Sequence, residues 1–282
     1  MEVKTFGIVG AGQMGNGIAQ VAAMSGVNVI MNDIKQEFVD KGLATIKKNL
    51  NRSVDKGKLS EQDRDAALGR IRTSIDLKDM ADADFVVEAA TENETLKFKI
   101  FEDLDEMCGP EVILSTNTSS IPIGRIAAHT KRPDKLIGMH FMNPVPVMKL
   151  VEIIRGIATS DETYDVTWAL AEKFGKTPAF SNDYPGFIAN RILMPMINEA
   201  VYTLYHGVGT REDIDTVMRL GCNHPMGPLT LADLIGLDTV LAIMETLHEG
   251  FKDSKYRPCP LLRKYVEAGW LGRKSGRGFY EY

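Results

Sequence analysis

The sequence has few cysteines and no long hydrophobic run. Cys108, Cys222 and Cys259 are its only three cysteines, and they lie far apart in the chain. Because three scattered thiols support neither a disulfide framework nor a Cys-x-x-Cys metal site, we predict a reducing compartment and no metal. No stretch approaches the roughly 18 apolar residues that a membrane helix needs, and a strand is predicted at the amino terminus where a signal peptide would lie. The sequence therefore predicts a cytoplasmic protein without a membrane partner.

A large excess of charge of one sign is also missing. The 33 Lys and Arg residues against 38 Asp and Glu residues give a formal net charge of −5. Proteins whose main partner is nucleic acid usually carry a basic surface, so we predict no nucleic-acid partner. The composition, 44% hydrophobic and 25% charged, excludes a disordered chain, and 282 residues suffice for one large domain or two ordinary ones.

Short β-branched runs alternate with amphipathic stretches through the first two-thirds of the chain. This alternation is typical of a parallel sheet covered by helices, and it predicts an α/β fold of Rossmann type. A long helical pattern follows the second predicted strand and exceeds what a crossover needs. Its apolar face carries Val39, Leu43, Ile46 and Leu50. The predicted strands are residues 3–9, 27–32, 85–88, 112–115, 136–140 and 150–154.

Strand patterns stop near residue 184, and helical periodicity continues to the end of the chain. We therefore predict two domains, residues 1–184 with the sheet and residues 185–282 with helices alone. Asp183 is expected to cap the first helix of the second domain, with Pro185 in its first turn.

A glycine-rich motif follows the first predicted strand and opens a helix. Gly10 permits a tight turn, Gly12 allows a pyrophosphate to approach the backbone, and Gly15 lets helix and strand pack closely. The phosphates would face the unpaired N–H groups at the start of this helix. The complete motif is Gly10-Ala11-Gly12-Gln13-Met14-Gly15.

An acidic residue ends the second predicted strand, 23 residues after the first glycine (33 − 10). A carboxylate there accepts hydrogen bonds from the adenosine ribose and repels a 2′-phosphate, so Asp33 favours NAD(H) over NADP(H). The alternative is that the glycines merely end a strand and Asp33 begins a turn.

Polar residues follow the later predicted strands, where ligands of open α/β sheets bind. His140 ends one strand, and Glu152 lies among the apolar residues of the next, where an unpaired carboxylate is costly. A His–Glu pair suits acid–base chemistry near neutral pH, although a buried structural pair is the alternative. Asn117 and the serines beside it can hold a carbonyl or the nicotinamide carboxamide, or can form an ordinary turn. Asn190 can position His140 or a substrate carbonyl, or can lie on a helix surface.

The ordered motifs of the chain together resemble those of the 3-hydroxyacyl-CoA dehydrogenase family, closest to the bacterial 3-hydroxybutyryl-CoA dehydrogenases of butyrate and butanol fermentation. The resemblance implies that His140 is the catalytic acid–base and Glu152 its orienting partner. Ser119 and Asn190 are implied to contact the substrate oxygen and the histidine. The motifs are the glycine loop, Glu88-Ala89-Ala90, Ser115-Thr116-Asn117-Thr118-Ser119-Ser120, His140-Phe141-Met142-Asn143-Pro144, Pro185-Gly186-Phe187-Ile188-Ala189-Asn190-Arg191 and His224-Pro225-Met226-Gly227-Pro228. The implied NAD contacts are Asp33, Glu92, Lys97, Asn143 and Lys274.

The long helical insertion carries a basic stripe. Lys48, Arg52 and Lys56 recur every four residues, and such groups bind the phosphates of coenzyme A well. The family resemblance adds Asn49 and Lys56 as contacts of the CoA moiety. The alternative is a solvated helix face balanced by nearby acids.

The resemblance implies that the partner is an acyl-CoA substrate, acetoacetyl-CoA or 3-hydroxybutyryl-CoA. Apolar helix faces in the second domain predict a homodimer. Two alternatives stay open: a dehydrogenase of free β-hydroxyacids, and an NAD-binding protein without catalytic activity. The residues on the apolar faces are Ile192, Met196, Val201, Leu241 and Met244.

Overall fold

The structure, a computed structural model, describes every residue of the chain. It contains two compact units, Met1–Tyr184 and Pro185–Tyr282. None of its helices combines the length and apolar composition needed to cross a bilayer.

The first unit is built on one eight-stranded sheet in the order β3-β2-β1-β4-β5-β6-β7-β8. All neighbouring strands are parallel except β6 and β7, which are antiparallel. The strands are β1 Thr5–Val9, β2 Asn28–Asn32, β3 Ile71–Ser74, β4 Phe85–Glu88, β5 Ile113–Thr116, β6 Leu136–Phe141, β7 Leu150–Arg155 and β8 Thr177–Asn182. The helices of this unit are α1 Gln13–Met24, α2 Gln36–Asp55, α3 Glu61–Gly69, α4 Glu94–Met107, α5 Ile123–Ala127 and α6 Asp161–Lys173. This architecture confirms the predicted fold class.

The two strands that the sequence pattern missed, β3 and β8, lie at the two edges of the sheet. Each is only partly buried, and β8 contains Pro178. A half-exposed edge strand needs no continuous apolar run and tolerates proline, so its sequence resembles that of a loop.

The predicted helical insertion consists of α2 and α3. Val39, Ile46 and Leu50 on α2 are buried in the core of this unit, as their spacing predicts. A Cβ atom added to Gly42 would lie 2.7 Å from the carbonyl oxygen of Ala11, so α2 packs directly against the glycine-rich loop. Larger side chains at residue 42 would separate the two elements.

The second unit is helical, as predicted, and has a hydrophobic core of its own. Two buried carboxylates hold its carboxyl-terminal residues. Asp233 accepts hydrogen bonds from the backbone N–H groups of Phe279 and Tyr280, and Asp215 accepts one from the Tyr280 hydroxyl. The helices are α7 Ala189–Tyr205, α8 Arg211–Thr216, α9 Pro228–Ile235, α10 Leu237–Phe251 and α11 Pro260–Glu267.

The predicted role of Asp183 as the cap of the first helix in the second unit is wrong. Helix α7 begins only at Ala189, because Gly186 and Phe187 adopt left-handed conformations with φ of 74° and 49°, which interrupt a right-handed helix. Asp183 instead accepts hydrogen bonds from the N–H groups of Ile123 and Gly124 at the start of α5, at 2.9 and 2.8 Å.

Candidate active site

The glycine-rich loop connects β1 to α1 and leaves space beside its backbone. Gly10 has φ of 108°, and a Cβ atom there would lie 2.6 Å from the carbonyl oxygen of Ala89. A Cβ atom on Gly15 would lie only 1.7 Å from the Gly10 oxygen, which explains the close contact of helix and loop. Gly12 has no atom within 4 Å of its Cβ position, so a side chain at this residue would project into open space. That space suits a pyrophosphate in front of the first N–H groups of α1, those of Gln13 and Met14.

A cavity of about 710 Å³ extends from this loop past the end of β2. Asp33 lies at its polar side, where Oδ2 accepts a hydrogen bond from the Ala11 N–H at 2.7 Å and Oδ1 accepts one from the Ile34 N–H at 2.8 Å. The rest of the cavity wall is largely apolar and suits an adenine ring. Its apolar side chains include Ile34, Phe38, Ile75, Leu77, Leu96 and Ile100. Gly12 with its lack of a side chain, the Asp33 carboxylate and the apolar cavity wall together fit the pyrophosphate and the adenosine of NAD.

Glu92 and Lys97 belong to a charged network at the carboxyl end of β4. The Lys97 ammonium is buried, 2.5 Å from Glu88 Oε1 and 3.3 Å from Glu92 Oε2. Burial would raise the pKa of Glu92, but Lys97 and the hydroxyls of Thr118 and Ser120 outweigh it and hold this pKa below its usual value. Burial raises the pKa of Glu88, with Lys97 acting in the opposite direction. Sequence reasoning noted Glu88 only as part of the Glu88-Ala89-Ala90 motif and gave it no role, because its contacts with Lys97 and Thr116 depend on the fold.

Three other predicted cofactor residues lie at the ends of strands or at the glycine loop. The Gln13 side-chain amide donates to Asn143 Oδ1 at 3.1 Å, which brings these two residues together. Asn117 Oδ1 accepts a hydrogen bond from the Phe141 N–H at 2.8 Å. Asn117 is thereby fixed beside the residue that follows His140.

His140 and Glu152 form a direct cross-strand pair between β6 and β7. His140 Nδ1 lies 2.8 Å from Glu152 Oε2, and the two residues are only 8% and 1% exposed. A carboxylate that is hydrogen-bonded to Nδ1 fixes the ring tautomer, so that the other ring nitrogen, Nε2, is the one that can exchange a proton. The same carboxylate stabilises the imidazolium cation. The pair can therefore hold and release one proton in a largely dehydrated setting.

Ser119 lies in the turn after β5 and is bonded to Glu92. Its backbone N–H lies 3.0 Å and its hydroxyl oxygen 3.5 Å from Glu92 Oε1. The same carboxylate oxygen accepts bonds from the Ser120 N–H and hydroxyl at 3.1 and 2.9 Å. One glutamate thus sets the conformation of the whole turn.

The predicted CoA residues lie at the carboxyl-terminal half of α2 and just beyond it. Lys48, Arg52 and Lys56 are exposed, whereas the Asn49 amide donates to Gln20 on α1 at 3.2 Å. Asn49 also borders a cleft of about 830 Å³ whose four lysines the sequence analysis did not single out. They are Lys58, Lys149, Lys173 and Lys176.

Two predicted site residues belong to the second unit. Asn190 lies in the first turn of α7 and is 9% exposed, which disfavours the alternative of a helix-surface asparagine. The Lys274 ammonium is paired with both carboxylate oxygens of Asp238, 2.6 Å from Oδ2.

Comparison with known proteins identifies the family. Residues 5–184 match the model of the 3-hydroxyacyl-CoA dehydrogenase NAD-binding domain, and residues 186–282 match that of the 3-hydroxyacyl-CoA dehydrogenase carboxyl-terminal domain. A probable 3-hydroxybutyryl-CoA dehydrogenase of Bacillus subtilis is 59% identical over 282 residues, covering 100% of this chain and 98% of its own length. The 3-hydroxybutyryl-CoA dehydrogenase of Bradyrhizobium diazoefficiens is 58% identical over 280 residues, covering 99% of this chain and 96% of its own length.

A solved structure shows the same fold. The crystal structure of (S)-3-hydroxybutyryl-CoA dehydrogenase from Ralstonia eutropha has a TM-score of 0.98 and 54% identity to this chain, and the match covers 100% of this chain and 99% of that one. These findings confirm the family and the cofactor predicted from the motifs. The chain belongs to the 3-hydroxyacyl-CoA dehydrogenase family, and it is an NAD(H)-dependent oxidoreductase of 3-hydroxyacyl-CoA.

Proposed function

We propose that this enzyme interconverts acetoacetyl-CoA and 3-hydroxybutyryl-CoA, with the His140–Glu152 pair as its acid–base group. Relatives 58–59% identical over nearly their whole length carry the name 3-hydroxybutyryl-CoA dehydrogenase, which supports a four-carbon substrate. The observation that carries the proposed chemistry is the 2.8 Å contact between His140 Nδ1 and Glu152 Oε2. A carboxylate buried beside an imidazole suits a group that must be cationic before proton transfer and neutral after it.

In the reduction of acetoacetyl-CoA, bound NADH would supply a hydride to C3, the ketone carbon. In this direction protonated His140 donates a proton to the ketone oxygen, and Glu152 stabilises the imidazolium until the transfer. Ser119 and Asn190 polarise the same oxygen by hydrogen bonding as negative charge develops on it. In the reverse direction neutral His140 removes the hydroxyl proton of the alcohol.

The binding of NAD(H) is assigned to two groups of residues. The glycine loop holds the pyrophosphate and Asp33 the adenosine ribose, as the cavity beside them supports. The remaining contacts are assigned to Glu92, Lys97, Asn117, Asn143 and Lys274. The CoA moiety of the substrate is assigned to Arg52 and Lys56, whose positive charge suits its phosphates, and to Asn49.

The two units have separate proposed tasks. Residues 1–184 carry every assigned NAD(H) contact except Lys274, and residues 185–282 contribute that lysine, part of substrate binding and a homodimer. A metabolic role in butyrate or butanol fermentation or in fatty acid metabolism, and a cytoplasmic location, stay predictions.

A steady-state assay tests the proposed function. NADH oxidation is followed with acetoacetyl-CoA, with longer 3-ketoacyl-CoA thioesters and with free acetoacetate, and each series is repeated with NADPH. The highest kcat/KM is expected for acetoacetyl-CoA with NADH. A preference for the free acid would favour a β-hydroxyacid dehydrogenase instead, and NADH binding without turnover of any substrate would indicate a protein that has lost catalysis.

A further inference from the structure

Glu88 is a buried carboxylate with three hydrogen-bond donors. It ends β4, is fully shielded from solvent and lies beside Thr116 in the sheet register. It accepts hydrogen bonds from the Ala90 N–H at 2.7 Å, from the Lys97 ammonium at 2.5 Å and from the Thr116 hydroxyl at 2.8 Å. Three donors and no acceptor stabilise the ionised form of this carboxylate.

Lys97 needs Glu88 because its own position is unfavourable for a cation. It lies in the first turns of α4, where the helix dipole opposes positive charge, and only 1% of its surface is exposed. A buried ammonium is costly unless it is paired and hydrogen-bonded. Glu88 at 2.5 Å is the nearer of its two carboxylate partners, and Glu92 at 3.3 Å is the more distant one.

Lys97 pairs with both Glu88 and Glu92, and its contact with Glu92 uses Oε2. Oε1 of Glu92 can therefore accept hydrogen bonds from other groups. Glu92 Oε1 accepts four hydrogen bonds of 3.1 Å or less from the turn that carries Ser119. If Glu88 lost its charge, Glu92 would become the only anion able to pair with Lys97. The stronger attraction would draw Glu92 toward the lysine and away from the turn.

We propose that Glu88 is a positioning residue for the reaction, which holds Ser119 in place through Lys97 and Glu92. The inference rests on the proposed function, in which Ser119 contacts the reacting oxygen. Glu88 touches neither substrate nor cofactor in this scheme. Its effect reaches the reaction only through the conformation of the turn that follows β5.

A double-mutant cycle with Glu88→Gln and Ser119→Ala tests the proposal, because residues that act through one another show non-additive effects. The assay measures kcat with acetoacetyl-CoA at saturating NADH, and NADH binding is followed by fluorescence so that saturation is verified for each variant. Each single substitution is expected to lower kcat roughly tenfold. The double variant is expected to lie within about twofold of Ser119→Ala alone.

Asp215→Asn is the matched control, because it also removes the charge of a buried carboxylate that accepts several hydrogen bonds. It is expected to lower the melting temperature and to leave kcat unchanged. Glu88→Asp keeps the charge with a shorter reach, and it is expected to show an intermediate kcat with the same lack of additivity. This variant provides the test if Glu88→Gln fails to fold.

Two outcomes would overturn the proposal in distinguishable ways. If Ser119→Ala is slow and the two substitutions multiply in the double variant, Glu88 acts independently of Ser119 and the positioning role is wrong while the proposed function stands. If Ser119→Ala has the kcat of the unaltered enzyme, the role of Ser119 in the proposed function is wrong and the positioning role is lost with it.

Discussion

His140 and Glu152 are direct neighbours across the only antiparallel strand pair of the sheet, with Nδ1 2.8 Å from Oε2. Directly opposed residues of antiparallel strands have their Cβ atoms about 5 Å apart, which is close enough for the two side chains to contact one another. The backbone on both sides of the contact belongs to the sheet. The proposed acid–base pair therefore needs no loop to hold its geometry.

His140→Asn is expected to lower kcat by roughly 10²-fold or more, the usual contribution of a positioned acid–base group. NADH affinity, measured by fluorescence, should stay near that of the unaltered enzyme. Glu152→Gln should also lower kcat, because the imidazolium loses its anionic partner. A fully active Glu152→Gln variant would show that the pair is structural, and a fully active His140→Asn variant would remove the acid–base assignment.

Asp33→Ala is expected to raise KM for NADH and to improve the relative use of NADPH. The ribose hydroxyls lose their acceptor, and the 2′-phosphate no longer meets a carboxylate. Asp33→Asn serves as the comparison because it removes the charge and keeps an oxygen that can accept from the Ala11 N–H. The kcat/KM ratio for the two cofactors is the measurement, and an unchanged ratio in both variants would assign the discrimination to another residue.

Arg52→Glu combined with Lys56→Glu is expected to raise KM for acetoacetyl-CoA and to weaken its salt dependence, with a much smaller change in kcat. Both side chains are exposed, and in the proposed function they contact the phosphates of the thioester and not the reacting carbonyl. The N-acetylcysteamine thioester lacks those phosphates and is the control substrate. Equal impairment of both thioesters, or normal binding of acetoacetyl-CoA, would make the stripe a solvated helix face.

A homodimer through the second unit is expected at micromolar concentration. Large apolar side chains of this unit remain exposed in the single chain, which is typical of an interface. They include Ile192 at 67%, Val217 at 62% and Leu220 at 74% exposure. The sequence prediction was wrong in placing Val201 and Met244 on this face, because both are buried in the core of the unit itself. Light scattering on the whole protein measures the mass, and Ile192→Glu should shift it toward the monomer. A monomeric unaltered protein would contradict the prediction.

Thiol reagents are expected to label Cys222 rapidly and Cys108 very slowly. Cys222 is exposed, whereas burial raises the pKa of the Cys108 thiol to about 11. At pH 8 about one Cys108 in a thousand is then a thiolate, the reactive form. Mass spectrometry of iodoacetamide-treated protein gives the labelling rates, and Cys222→Ser provides the control. Fast labelling at Cys108 in the native protein would contradict the burial of this thiol.

The sequence predicted those parts of the structure that depend on local pattern. Central strands such as β4 are continuous apolar runs, and the glycine loop has a fixed spacing, so both could be read directly. The contacts of Asp183 could not be predicted, because its partners, the N–H groups of Ile123 and Gly124, are about 60 residues away in the chain. Glu88 was given no role for the same reason, since its contact with Thr116 requires two strands to be neighbours in the sheet.

The carboxylates of Asp215 and Asp233 make the final packing of the second unit depend on its last residues. Their hydrogen-bond donors include the backbone of Phe279 and Tyr280 and the hydroxyls of Tyr280 and Tyr282. Until residues 279–282 have left the ribosome, Asp233 lacks the donors that compensate for its burial, and Asp215 has only those of Leu229 and Thr230. The first unit can fold while translation continues, whereas the second unit completes its packing only after residues 279–282 have emerged from the ribosome.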